Sequence, residues 1–281
     1  MTVERGTFAG VGALAIHWER AAPATAAPRA AVVVAHGYAE HFARYGELVR
    51  HLTDRGLAVA GMDHRGHGRS EGARGHCASI DELIADMRTL ADMAAAWWPG
   101  VPRLLFGHSM GGLLGFVYLL RHPETVRAAA LSAPALRIPD TAPRALQLVA
   151  RVLGRVAPRV GFRSKLDATL LSRDPAVGAA YVADPLVHRR ASAGLVRAIN
   201  AAQAEAFAGA ASLRVPLLIL QGDADRIVDP SGSRDVAVRL TGPHELVMLP
   251  GYYHELLNEP KPAAARVLEL LDAWFDRWLA A

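Results

Sequence analysis

Residues 103–120 read "RLLFGHSMGGLLGFVYLL": an apolar run, a turn of small residues around Ser109, and a second apolar run. The first run has the length of a buried strand and the second that of a helix, so the pattern predicts strand, tight turn, helix. Glycines 107, 111 and 112 flank Ser109. Glycine lets a chain turn sharply and pack closely against its neighbours. A G-x-S-x-G turn in this setting lifts the serine hydroxyl above the sheet at the start of a helix, where backbone N–H groups face developing negative charge. A serine hydroxyl is a weak nucleophile until a base takes its proton. If Ser109 reacts, the rest of the chain must supply a base, an acid to orient it and a second oxyanion donor. A purely structural turn needs none of these.

Outward from this segment, short β-rich runs alternate with helical patterns, which predicts an α/β fold with a mostly parallel central sheet flanked by helices. "AAVVVAHG" (30–37) and "LAVAGMD" (57–63) read as strands, with a helix at 44–55 between them that Gly56 stops. The segment 19–30, "ERAAPATAAPRA", reads as a loop joining early antiparallel strands. Ser79 followed by Glu82 predicts a capping box for a helix that carries Ile80, Leu83, Ile84, Met87 and Leu90 on one face. "VRAAALSAP" (126–134) is a further strand. From 136 to 212 the strand signal disappears. Helices are expected at 145–156, with Leu148, Val149, Val152, Leu153 and Val156 in one stripe, after Asp174-Pro175, and at 193–207. This region reads as a helical cap (136–212) inserted between core segments 1–135 and 213–281. Strands resume at "VPLLILQG" (215–222) and "HELVMLPG" (244–251), with a helix near 231–240. A last helix begins near Pro262, its stripe running through Val267, Leu271, Trp274 and Phe275.

In this kind of site the chain order is serine, then acid, then histidine. Asp223, Asp225 and Asp229 all follow a strand in "QGDADRIVDP" (221–230), and position alone does not choose among them. His254, in "PGYYHELLNEP" (250–260), is the last histidine and follows the final strand; His244 stands at the start of that strand, at the wrong end of the sheet. His254 is therefore the expected base. The oxyanion donors are expected to be the backbone N–H groups of Met110, directly after Ser109, and Tyr38, just beyond the strand at 30–37, with His36 orienting that loop.

"HGYAEHFARY" (36–45), "DHRGHGRSEG" (63–72), "GHSMGG" (107–112), "SRDP" (172–175), "DPLVH" (184–188), "GDADRIVDP" (222–230) and "YYHELLNEP" (252–260) together resemble the monoacylglycerol lipase family of serine hydrolases, its bacterial members most closely. The resemblance covers almost the whole chain. It implies an α/β-hydrolase fold with a mobile cap, and hydrolysis of monoacylglycerols to glycerol and fatty acid. It also implies a triad of Ser109, Asp225 and His254, with Asp225 chosen because the family's acid directly precedes an arginine, here Arg226. Tyr38 and Met110 carry the family's oxyanion positions. Tyr38 is a mild departure, and its ring is expected to line the acyl pocket. A broad-specificity carboxylesterase or lysophospholipase would use the same site. A non-catalytic binding protein on this fold would be expected to lack a triad member. The chemistry needs no cofactor and no metal, so His64, His67 and His76 are expected to build a turn.

Composition bounds the remaining classes. The chain has 281 residues, 52% of them hydrophobic and 21% charged, as a soluble globular protein would. A lone cysteine, Cys77, precludes an intrachain disulfide and fits a reducing compartment. The net charge of +4 is dispersed among acidic residues, which argues against a nucleic-acid partner. No run approaches the roughly 20 apolar residues of a membrane span, and the N-terminus lacks the apolar core of a signal peptide. The expected protein is cytoplasmic, takes a small lipid ester, and contacts membranes peripherally through the cap.

Overall fold

A computed structural model describes residues 2–24, 27–139, 153–164 and 166–280. The chain opens with an antiparallel hairpin, β1 (Thr2–Ala9) and β2 (Ala15–Ala22). Then come β3 (Ala31–Ala35), α1 (Gly46–Asp54), β4 (Ala58–Met62), α2 (Ile80–Trp97), β5 (Arg103–His108), α3 (Met110–Arg121) and β6 (Ala128–Ser132). Away from the sheet lie β7 (Gly161–Arg163), α4 (Pro175–Ala183), β8 (Arg190–Ser192) and α5 (Ala193–Gly209). The chain returns through β9 (Leu217–Gly222), α6 (Pro230–Ala237), β10 (His244–Leu249) and α7 (Lys261–Ala280). The eight-stranded sheet has the order β1-β2-β4-β3-β5-β6-β9-β10, and every pair from β4 onward is parallel.

The central strands are apolar over most of their length, with polar residues only toward their ends, because helices cover both faces. Val32, Val34, Leu104 and Phe106 face α1 and α7, while Val33, Leu105 and Leu131 face α2, α3 and α5. The predicted stripe of α7 is buried at Val267, Leu271, Trp274 and Phe275, and the Trp274 indole N–H donates to the Ala129 carbonyl at 2.9 Å. Parallel strands send their carboxyl ends to one edge. β3, β5, β9 and β10 therefore deliver the loops bearing Tyr38, Ser109, Asp225 and His254 to the same side.

Several expectations change. Residues 19–22 are not loop but the end of β2, all paired with β1 and residues 19–21 with β4 as well. The capping box at α2 does not close on Ser79, whose hydroxyl makes no cap bond. Glu82 instead accepts the Ala78 N–H at 2.8 Å and faces Arg65 at 3.2 Å, and that ion pair draws its carboxylate one residue further back. The strand-free region holds a small antiparallel ladder, β7 with β8. Three residues per strand are too few for an alternating pattern to register. Asp174 caps α4 as expected, accepting the Ala176 N–H with Pro175 in the first turn. Of the helix predicted at 145–156, residues up to 152 lie outside the described ones; 153–156 are helical, and Val156 is not packed but 74% exposed. Among the described residues no helix is long and apolar enough to cross a membrane.

Candidate active site

Ser109 sits between β5 and α3 with φ 53° and ψ −117°, a backbone conformation that L-residues avoid. Its surroundings hold it there. The Ser109 N–H donates to the Ser132 carbonyl at 3.0 Å, and its own carbonyl accepts from Leu113 and Ala135 at 3.0 and 2.9 Å. The small neighbours are required by contact. A Cβ at position 111 would lie 2.2 Å from the Ala35 carbonyl oxygen, and one at 107 would lie 2.6 Å from the Gly111 oxygen. Both obstacles are backbone, so neither yields as a side chain would.

Three of the expected residues meet in one hydrogen-bonded line. His254 Nε2 lies 2.9 Å from Ser109 Oγ, and His254 Nδ1 lies 2.8 Å from Asp225 Oδ2. Ser109, Asp225 and His254 are all buried. The other two aspartates turn elsewhere. Asp223 accepts the Gly251 N–H at 2.6 Å, and Asp229 caps α6 through the Ser231 N–H at 2.9 Å. Burial disfavours a charge on His254, but the adjacent Asp225 carboxylate outweighs it and raises the imidazole above its ordinary 6.5. Burial likewise works against a charged Asp225, yet His254 and the N–H groups of Val228 and Ile227 hold its carboxyl below the usual range. His108, with its ring centroid 4.8 Å from that of His254, is pushed down to about 4 by burial and by His254, and so stays neutral.

The loop after β3 packs against the serine: a Cβ on Gly37 would sit 3.3 Å from Ser109 Cβ. Tyr38 and Met110 line the same cavity as Ser109 and His254, and Met110 opens α3. The Tyr38 hydroxyl donates to the Arg190 carbonyl at 2.8 Å, tying this loop to β8. His36 accepts the His64 N–H on Nε2 at 2.8 Å, which leaves Nδ1–H to donate to the Gly37 carbonyl at 2.7 Å.

Sequence reasoning missed what anchors this loop. Glu40 is buried and accepts the Gly37 N–H and the Tyr45 hydroxyl, each at 2.6 Å. Burial opposes its charge, but Arg44 and the neighbouring donors hold its carboxyl down at about 2. Arg44 also binds both oxygens of Glu255, at 2.8 and 3.0 Å. One guanidinium thus joins the Tyr38 loop to the residue after His254. Glu40 and Arg44 stand four apart in "EHFAR", a helix-spaced ion pair visible in the sequence, whereas nothing in sequence spacing brings Glu255 to them.

Above Ser109 opens a cavity of about 1470 Å³, walled largely by apolar side chains that include Ile138, Phe162, Leu170, Leu171, Ile199 and Ile227. The predicted histidine turn lies behind Tyr38. His64 and His67 pack against His36, with centroids at 4.4 and 5.5 Å, while His76 turns away to Ser192 Oγ at 2.8 Å.

Comparison with known proteins agrees with this architecture. The family model described as Hydrolase_4, Serine aminopeptidase, S33, matches residues 26–261. A monoacylglycerol lipase of Mycolicibacterium smegmatis is 43% identical over 270 residues, covering 95% of each chain. Phospholipase YtpA of Bacillus subtilis is 31% identical, covering 83% of this chain and 91% of its own. The crystal structure of a Paleococcus ferrophilus monoacylglycerol lipase superposes with a TM-score of 0.83 at 31% identity, over 100% of this chain and 99% of the other. The chain belongs to the monoacylglycerol lipase family of α/β-hydrolases and is a carboxylic ester hydrolase.

Proposed function

We propose that this enzyme hydrolyses monoacylglycerols to glycerol and free fatty acid through an acyl-enzyme on Ser109. The observation that carries the reading is the line Ser109–His254–Asp225, whose serine and histidine line a large, mostly apolar cavity. The acyl chain lies along the apolar wall and presents its ester carbonyl to Ser109. His254 Nε2 takes the Ser109 proton as Oγ attacks, then returns it to the departing glycerol oxygen. Asp225 holds the imidazole tautomer and stabilises the imidazolium. The N–H groups of Tyr38 and Met110 receive the oxyanion. Water then enters, His254 removes its proton, and the fatty acid leaves. Residues 136–212 act as the cap over this site.

A purified-enzyme series of monoacylglycerols of increasing chain length, run beside triacylglycerol and lysophospholipid at matched concentration, tests the substrate. Monoacylglycerol is expected to give the highest kcat/KM, and faster turnover of either comparator would overturn the assignment. The lysophospholipase reading has an observation of its own: Arg155, Arg163 and Arg226 line the cavity beside the apolar wall, and arginine suits a phosphate.

The enzyme meets its substrate, in this reading, from the cytoplasm at a membrane surface. Val160 and Phe162 line the cavity and are each 46% exposed, Val156 just before them in the chain is 74% exposed, and Arg155, Arg159 and Arg163 are interspersed with them in the sequence. Apolar side chains beside cations suit an anionic bilayer. Co-sedimentation with phosphatidylglycerol vesicles at low salt should retain the wild-type protein and release a Val156→Ser/Phe162→Ser variant. Equal sedimentation of the two excludes docking through this surface.

A further inference from the structure

Gln221 stands near the end of β9, after four apolar residues, and its side chain is fully buried. It does not line the cavity above Ser109, yet it reaches the acid of the candidate triad. Asp225 Oδ1 accepts the N–H groups of Ile227 and Val228 at 2.8 and 3.1 Å. Asp225 Oδ2 accepts from His254 Nδ1 at 2.8 Å and from Gln221 Nε2 at 3.2 Å. A carboxylate offers about four lone-pair sites, so this donor set is complete.

The direction of the Gln221 amide follows from its neighbours. Asp225 Oδ2 and the Gly222 carbonyl oxygen each lie 3.2 Å from the same end of the amide, and both are acceptors. Only the NH₂ end fits there. The amide oxygen then faces the hydroxyl of Ser233, 2.9 Å away in α6 and fully buried, which donates to it. A chain of bonds runs from Ser233 through Gln221 to Asp225, His254 and Ser109.

We propose that Gln221, held in orientation by Ser233, is a positioning residue that sets the basicity of His254 through Asp225. A donor on Oδ2 draws on the same oxygen charge that attracts the imidazolium. Without it the charge is concentrated toward His254 Nδ1–H, the protonated imidazole gains stability, and its pKa rises further. The carboxylate also loses one of the two anchors on that oxygen and turns more freely about its Cβ–Cγ bond. Fewer enzyme molecules then hold a neutral, aligned base at a given pH. The inference rests on the triad reading above.

The test is the pH dependence of the rate at which a fluorophosphonate labels Ser109, with kcat and KM on monobutyrin, in wild type, Ser233→Ala and Gln221→Met. The acid limb is expected to move to higher pH by about half a unit in Gln221→Met and by less in Ser233→Ala. In Gln221→Met kcat is expected to fall about 3- to 30-fold, with KM within about twofold. A packing role alone would lower Tm and leave the acid limb where it is, and that outcome overturns the proposal. If Gln221→Met does not fold, an unmoved limb in Ser233→Ala overturns it alone. Failure of the triad reading looks different: wild type would go unlabelled, or Ser109→Ala would still label.

Discussion

Ser109→Ala is expected to lower kcat on monoacylglycerol by about 10⁴- to 10⁶-fold and to leave Tm close to that of wild type. The variant deletes one hydroxyl and keeps the Cβ, so the bonds that hold the turn survive, namely Ser109 N–H to Ser132 and the Ser109 carbonyl to Leu113 and Ala135. The strained φ of 53° is equally strained for alanine, which leaves the balance of the turn unchanged. What disappears is the atom 2.9 Å from His254 Nε2 that would form the acyl bond. Glycerol release followed with a coupled assay, beside a thermal melt, checks both halves. Retention of more than about a hundredth of the wild-type rate in a folded variant would remove Ser109 from the mechanism.

Asp225→Asn carries the second large effect, a fall in kcat of about 10⁴-fold. Asp225 Oδ1 faces two backbone N–H donors, so the asparagine oxygen must take that position. Its NH₂ is then forced toward His254 and toward the NH₂ of Gln221. Faced with a donor, His254 Nδ1 must accept, which leaves the proton on Nε2, pointed at Ser109, where it cannot act as a base. The pH dependence has a definite sign. In wild type His254 is raised above 6.5, so kcat/KM should fall as pH drops through that raised value. Removing the carboxylate leaves burial as the leading influence, which lowers the imidazole, so the acid limb of the residual activity should move below 6.5. An acid limb at its wild-type position would mean that Asp225 does not govern His254.

Much of this arrangement is legible along the chain because its causes are local. Apolar runs of five or six residues between glycine and proline breaks can be buried on both faces only in a covered parallel sheet, and β3, β5, β6 and β9 fall where such runs occur. Short-range rules also place the turn at Ser109, the cap at Asp174 and the stripe of α7. Other features escape because their causes are distant. Glu82 is drawn back to Ala78 with Arg65 beside it, a residue outside its helix. β7 and β8 exist only as partners of one another across 26 intervening residues, 164–189.

The site divides in the same way. The residue types, their order and the sharp turn under Ser109 follow from sequence, since strand and turn chemistry act between near neighbours. Sequence left Asp223, Asp225 and Asp229 as equals until the resemblance singled out Asp225. In the fold the three are told apart by what lies within 3 Å of each: a loop N–H for Asp223, a helix start for Asp229, and the His254 imidazole for Asp225. The anchoring of the Tyr38 loop by Glu40, Arg44 and Glu255, and the support of Asp225 by Gln221 and Ser233, are likewise products of packing. A buried charge or amide must find partners wherever the fold supplies them, and for Arg44 that partner lies 211 residues away along the chain.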